Sequence, residues 1–230
     1  MPALTPLETE ALRLSLRVAV WSVATSLPVG LLVAWLLARR NFIGKTILNG
    51  LVHLPLVLPP VVVGYLLLVL FGREGPVGRL LYSLFGVSLP FTWQGAALAA
   101  AVMAFPLMVR AMRLSLEAVD RKLESAARTL GAGPLAVFAT VTLPLMAPGI
   151  VVGAVLAFAR SLGEFGATIT FAANIPGETR TLPIALYTLI QTPDGESAAL
   201  RLTVISIVLS LAALAVSEGM ARRLRTRIDG

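Results

Sequence analysis

Apolar residues gather into five runs along this chain, 18–38, 48–71, 95–110, 145–172 and 202–219, each bounded by links that carry arginine. A helix rises 1.5 Å per residue, so about 20 mainly apolar residues cross a bilayer core. The pattern predicts an all-α integral membrane protein of about five transmembrane helices. It also predicts one transmembrane domain over 12–219 and a basic tail over 220–230. The runs are not uniform. Pro28-Val29-Gly30 in the first predicts a bend or a close helix contact, which a membrane tolerates. Pro55, Pro59 and Pro60 make an unbroken helix over the start of the second improbable, because each removes a backbone donor. Carbonyls freed there need partners, so that half is expected to face the protein interior. His53 beside them is expected to be a packed residue with one hydrogen bond.

Between the runs, 72–90 is a mixed loop with a short apolar piece for the membrane surface, and Phe91-Thr92-Trp93 has the make-up of an interfacial anchor. The fourth run is interrupted by Arg160 and Glu164, and the apolar piece 181–190 is too short to span. Placing 114–144 in the cytoplasm puts twelve of the 19 basic residues inside and six outside, with Arg160 left in the membrane. This bias puts the N-terminus outside and the C-terminus inside.

Composition agrees and excludes much else. The chain is 57% hydrophobic and 13% charged, with mean hydropathy +0.87, where soluble domains hold about 25% charged residues. The net charge of +7 reads as positive-inside loops rather than a nucleic-acid surface. No cysteine is present, which removes disulfides and thiolate metal sites, and a single histidine cannot hold a metal alone. The acidic N-terminal stretch lacks the basic region of a cleaved signal peptide, so the first span is expected to be retained. GREGPVGRL lacks the Gly-Lys-Ser/Thr ending of a phosphate loop. There is no catalytic Ser/His/Asp set, no cofactor motif and no internal repeat of the kind an inverted-repeat carrier shows.

The longest link between runs, 111–144, contains the stretch 123–144, LESAARTLGAGPLAVFATVTLP. Gly131 and Gly133-Pro134 break a helix, and Leu143-Pro144 opens the next apolar run. As a helix it places Leu123, Ala126, Ala127 and Leu130 on one face, with Lys122, Glu124 and Arg128 elsewhere. A short helix with small residues and a rigid stop is a shape that docks into a groove. The order Glu124, Ala126-Ala127, Gly131, Val141, Leu143-Pro144 resembles the "EAA" loop of ABC-importer permeases, with Ser125 between the glutamate and the alanines and Val141 in place of isoleucine. The strings RNFIGKTILNGLVHLPLVLPPVVVGYLLLVLFGREGPVG and FARSLGEFGATITFAANIPGETRTLPIALYTLIQTP resemble the molybdate-transporting members in particular.

The resemblance implies the type I importer permease fold, with 114–144 as the coupling loop. Glu124, Ala126, Ala127, Leu130 and Gly131 then form the coupling helix against an ATP-hydrolysing subunit. It implies two copies of the chain, an extracytoplasmic molybdate-binding protein met by the outer turns near 174–180 and 192–197, and surrounding lipid. ATP is used by the partner subunit, and this chain needs no cofactor of its own. Sulfate or tungstate is the competing cargo, and an ion-gradient carrier the competing class.

Arg160 and Glu164, four apart, are expected to pair on one helix face and so reduce the cost of burying either charge. Around them a weakly interacting path is expected, lined by Ser161, Gly163, Gly166 and Thr168. A fixed high-affinity anion site there would slow release.

Overall fold

The computed structural model describes residues 5–228. Its long helices are α1 (Pro6–Arg39), α5 (Trp93–Ala118), α8 (Leu143–Leu162) and α11 (Glu196–Ile228). The shorter ones are α2 (Lys45–His53), α3 (Pro60–Phe71), α4 (Pro76–Phe85), α6 (Arg121–Thr129), α7 (Pro134–Val137), α9 (Gly166–Ala172) and α10 (Leu182–Ile190). Four segments are long and apolar enough to cross a membrane, and α2–α3 with its intervening turn makes a fifth if that bent pair is one span.

Helix α5 is the spine. Ala96, Ala97, Ala99, Ala100, Ala101 and Ala104 are all buried, and their small side chains let α1 and α8 pack closely along it. Lipid gives helices no hydrophobic reason to associate, so close backbone approach must supply the contact energy. Glycines serve the same end. A Cβ on Gly30 would lie 3.1 Å from the Met108 sulfur, and one on Gly149 would lie 2.1 Å from the Ser115 Cβ. The Pro28-Gly30 segment is therefore a close helix contact.

Several boundaries differ from the sequence expectation. Helix α1 begins at Pro6 because Thr5 and Glu8 form a capping box, the Glu8 carboxylate accepting from the Thr5 N–H at 2.8 Å. Glu8 is 1% exposed and also accepts from Arg201 at 3.0 Å, tying the first helix to the last. Helix α5 runs on to Ala118, so the first residues of the 114–144 loop belong to the helical core. The last helix, α11, runs from Glu196 to Ile228, and its apolar, span-forming part is Glu196–Val216. The side chains of Arg222, Arg223, Arg225 and Arg227 lie outside the described residues.

The run 48–71 is the largest departure. Its halves meet at 116°, and the proline-rich turn is largely exposed in the single chain, with Val57 at 82%. The turn makes several bonds of its own. Val57 and Leu58 donate to the Leu54 carbonyl, and Val62 donates to that of Pro59. His53 holds a single hydrogen bond, Nδ1 to the Asn49 carbonyl at 2.8 Å.

Beyond the bend, α3 packs on α9. Gly64 is the crossing point: a Cβ there would sit 2.7 Å from both the Ala167 carbonyl oxygen and the Thr170 Cβ. Gly64→Val is expected to cost roughly 1–3 kcal/mol by overpacking, read as a lower unfolding temperature in detergent. Gly50→Ala, with open space around it, should leave that temperature unchanged or slightly raised.

Candidate coupling helix and interrupted fourth span

Two features stand out, one at an end of the bundle and one at its middle. At the end, Asp120 caps α6 by accepting from the Lys122 N–H at 2.9 Å. The helix stops in a Schellman closure, with Ala132 N–H donating to the Ala127 carbonyl and Gly131 N–H to that of Arg128. Gly131 has φ +91°, a left-handed conformation that glycine enters without steric cost. No residue of α6 is buried. Leu123 is exposed, Leu130 is 89% exposed and Leu135 just beyond is 84% exposed. Ala126 and Gly131 are exposed with them, whereas Ala127 and Glu124 are partly covered. The exposed apolar face is thus Leu123, Ala126 and Leu130, with Ala127 at its edge. An apolar patch presented on an otherwise polar helix marks a protein interface.

Glu124 turns the other way. Its Oε1 accepts from the Arg39 guanidinium at 2.9 Å, at the end of α1, and from the Thr142 hydroxyl at 2.8 Å. Thr142 closes a π-helical turn, Phe138–Thr142, that joins α7 to α8. The fourth span therefore begins at Pro134, making one 29-residue apolar segment to Leu162, rather than near 145.

Inside the bundle the same span is broken. The Ser22 and Ser161 hydroxyls lie 2.8 Å apart, so the break sits beside α1 about halfway along its 34 residues. Helix α8 ends at Leu162 and α9 starts at Gly166. Arg160 and Glu164 do pair, at 2.7 Å, but they do not share one helix. Glu164 lies in the break, where its other carboxylate oxygen caps α9 by accepting from the Ala167 N–H at 2.8 Å. Helix α8 stops before Gly163, and Glu164 offers a freed amide of the next helix an acceptor.

The remaining path candidates separate into two groups. Ser161 and Thr168 are buried and spend their hydroxyls internally, Thr168 donating to the Phe165 carbonyl at 2.9 Å. Gly163 is exposed and Arg160 partly so, and these form the accessible part of the break. Gly166 packs where a Cβ would come within 2.7 Å of the Pro60 Cβ. The two helix breaks of the chain, at Pro59-Pro60 and at 163–165, therefore touch. Sequence reasoning missed this meeting, the capping role of Glu164, and the Arg39 and Thr142 partners of Glu124. Paired helix breakers at similar depth in two spans were the one available signal.

Comparison with known proteins follows the same lines. The family of binding-protein-dependent transport system inner membrane components matches residues 26–226. The molybdenum transport system permease protein ModB of Escherichia coli K12 is 64% identical over 224 residues, 97% of this chain and 98% of that one. ModB of Haemophilus influenzae is 58% identical over 222 residues, 96% and 97% of the two chains. The sulfate transport system permease protein CysT of Salmonella typhimurium is 38% identical over 201 residues, 87% and 72%. Among solved structures, a bacterial ABC transporter that imports the acidic polysaccharide alginate superposes with TM-score 0.75 at 17% identity, covering 96% of this chain and 80% of that one. That likeness shows the fold.

Glu164→Ala strips the charge partner from Arg160 and the cap from α9 together. With Arg160 partly open to its surroundings, the expected loss is about 2–3 kcal/mol. Glu164→Gln, which keeps an acceptor for the Ala167 N–H, should lose about half as much. Thermal unfolding of the detergent-solubilised chain checks the order wild type, Gln, Ala.

Proposed function

The chain belongs to the binding-protein-dependent transport system inner membrane components, and from that membership we propose that it is the membrane-spanning subunit of an ATP-driven molybdate importer. The observation that carries the cargo assignment is the 64% identity to a molybdenum permease across nearly the whole of both chains. In this reading two copies enclose a path at their interface. An extracytoplasmic binding protein delivers the anion, and ATP is bound and hydrolysed on separate cytoplasmic subunits. The exposed faces of the Leu54–Leu56 turn and of α3, with Leu56, Val57, Val61 and Tyr65 outward, offer apolar surface for the second copy.

Charge bias places the α6 end in the cytoplasm, and contacts between distant residues support the assignment. Arg39 with Glu124 and Arg113 with Asn49 join residues counted inside. Glu8 with Arg201, Arg17 over the Trp93 ring and the Glu178 carboxylate with the Trp93 N–H join residues counted outside. The N-terminus is then extracytoplasmic and the C-terminus cytoplasmic.

The break accounts for passage without capture. A dianion near Arg160 meets a guanidinium whose charge is already shared with Glu164, so attraction is weak and release into the cell is fast. Closure of the ATPase subunits draws the two copies of α6 together, and the helices they are joined to tilt as rigid bodies from inward-open to outward-open. Cargo choice is left mainly to the binding protein.

Reconstitution in proteoliposomes with the ATPase and binding-protein partners should give ATP-dependent uptake of labelled molybdate that excess sulfate does not suppress. Uptake without any ATPase subunit, or preferential uptake of sulfate, would overturn the reading. Within the same assay Arg160→Ala should reduce the amount of assembled transporter and leave the preference for molybdate over sulfate unchanged. A shifted preference in a fully assembled Arg160→Ala transporter would show instead that Arg160 selects the anion.

A further inference from the structure

One carboxylate oxygen, Glu124 Oε1, holds three elements together. It accepts from Arg39 at the end of α1 at 2.9 Å and from Thr142 at the end of the π-helical turn at 2.8 Å, while Glu124 itself belongs to α6. Arg39 adds a bond to the Val119 carbonyl at 3.4 Å, in the link that leads into α6. The side chains of Arg39 and Glu124 are 10% and 14% exposed, so solvent screens this pair far less than a surface pair. Beneath it Thr142 is 3% exposed, beyond the reach of any partner protein.

Position and geometry make the cluster a joint rather than an ordinary surface pair. The exposed face of α6 carries Leu123, Ala126 and Leu130, and Glu124 is turned from it toward the bundle. Apart from these bonds, α6 adds no buried side chain to the core, so little else fixes it to α1. A π turn is a local insertion in an α-helix, with backbone bonds less well matched than those of the helix around it. A force on α6 would be absorbed by that turn unless a side chain bridged it. The Thr142 hydroxyl, at the far end of the turn from α7, is that bridge. From there α8 runs unbroken to Leu162, immediately before the break at 163–165.

We propose that the Arg39–Glu124–Thr142 clasp is the positioning device that makes α1 and α8 move with α6, so that Glu124 acts through the rest of this chain rather than by touching the ATPase. This rests on the importer reading above. Losing the clasp lets α6 follow the ATPase while the spans lag, so ATP is hydrolysed without a matching import event.

The test uses the complete transporter in proteoliposomes and reads ATP hydrolysed per molybdate imported, beside the amount of ATPase that co-purifies. Glu124→Gln, Arg39→Gln and Thr142→Val are each expected to raise that ratio, by about 5-fold for the strongest, with ATPase still bound. Thr142→Ser keeps the hydroxyl and should restore the wild-type ratio. A raised ratio in Glu124→Gln alone, with Arg39→Gln and Thr142→Val at wild type, would overturn the proposal and place Glu124 against the ATPase. So would loss of ATPase binding in Glu124→Gln only. A second readout needs neither cargo nor partner: amide hydrogen exchange of the purified chain. Thr142→Val should speed exchange in 121–129 and in the last turn of α1 together, and unchanged exchange in both would overturn the clasp. Failure of the importer reading shows separately, as absent ATP-dependent uptake by the wild type.

Discussion

The bilayer core offers backbone amides no water, and the arrangement at the centre of this chain follows from that constraint. A span broken within the bilayer frees N–H and C=O groups that lipid cannot satisfy, each at a cost of several kcal/mol. This chain breaks two spans and meets part of that demand in each from its own residues. The proline turn after α2 closes its bonds within a few residues, onto the Leu54 and Pro59 carbonyls. The second break uses a side chain, Glu164, whose carboxylate caps α9. That carboxylate is itself too costly to bury alone, which explains Arg160 at 2.7 Å. Arg160 is thus first a consequence of the break, and only then a candidate for contact with cargo.

Close packing follows next. Two interrupted helices can rest against each other only where side chains are absent, hence Gly64 over Ala167 and Thr170 and Gly166 over Pro60. The alanine face of α5 extends the same logic through the bundle. Polar clasps then fasten the periphery, Glu8 with Arg201 at one end and Arg39 with Glu124 at the other. The bundle is held by small residues at its closest crossings, by larger apolar side chains such as Leu37, Met108, Met112, Leu116 and Met146 in its core, and by charged pairs at its rims.

Much of this was legible in the sequence, and the reasons differ by feature. Span number and rough position followed from bilayer thickness, which fixes element length independently of side-chain detail. The α6 helix and its stop followed from Gly131, because few residues accept a left-handed φ. The Arg160–Glu164 pair followed from spacing, yet the spacing concealed that the helix ends between them. Gly163 is no stronger a breaker on paper than Gly153, which α8 passes through without interruption. The two glycines differ in what lies beside them: Gly153 packs on the Met108 carbonyl, whereas Gly163 faces open space. That difference is tertiary. The proline-rich half is exposed in the single chain, and its local bonds onto the Leu54 and Pro59 carbonyls depend on the fold of the turn, which the run of apolar residues does not encode. The partners of Glu124 were illegible for a simpler reason: Arg39 lies 85 residues away, and no local pattern joins them.

Glu124 also shows how a motif residue can keep its place while its role stays hidden in the motif. Read as a string, the glutamate belongs to the surface that meets a partner, because its alanine neighbours do. Read as a helix, three residues of α6 divide the labour by direction: Leu123 and Ala126 outward, Glu124 inward. A carboxylate placed outward would need a cation on the ATPase and would be screened by solvent whenever the two proteins part. Placed inward it has its cation within the same chain, Arg39 at 2.9 Å. A device that must transmit force repeatedly benefits from a bond that is never exposed between strokes, and Ser125, which separates Glu124 from Ala126-Ala127, sets the register that turns this carboxylate toward the bundle.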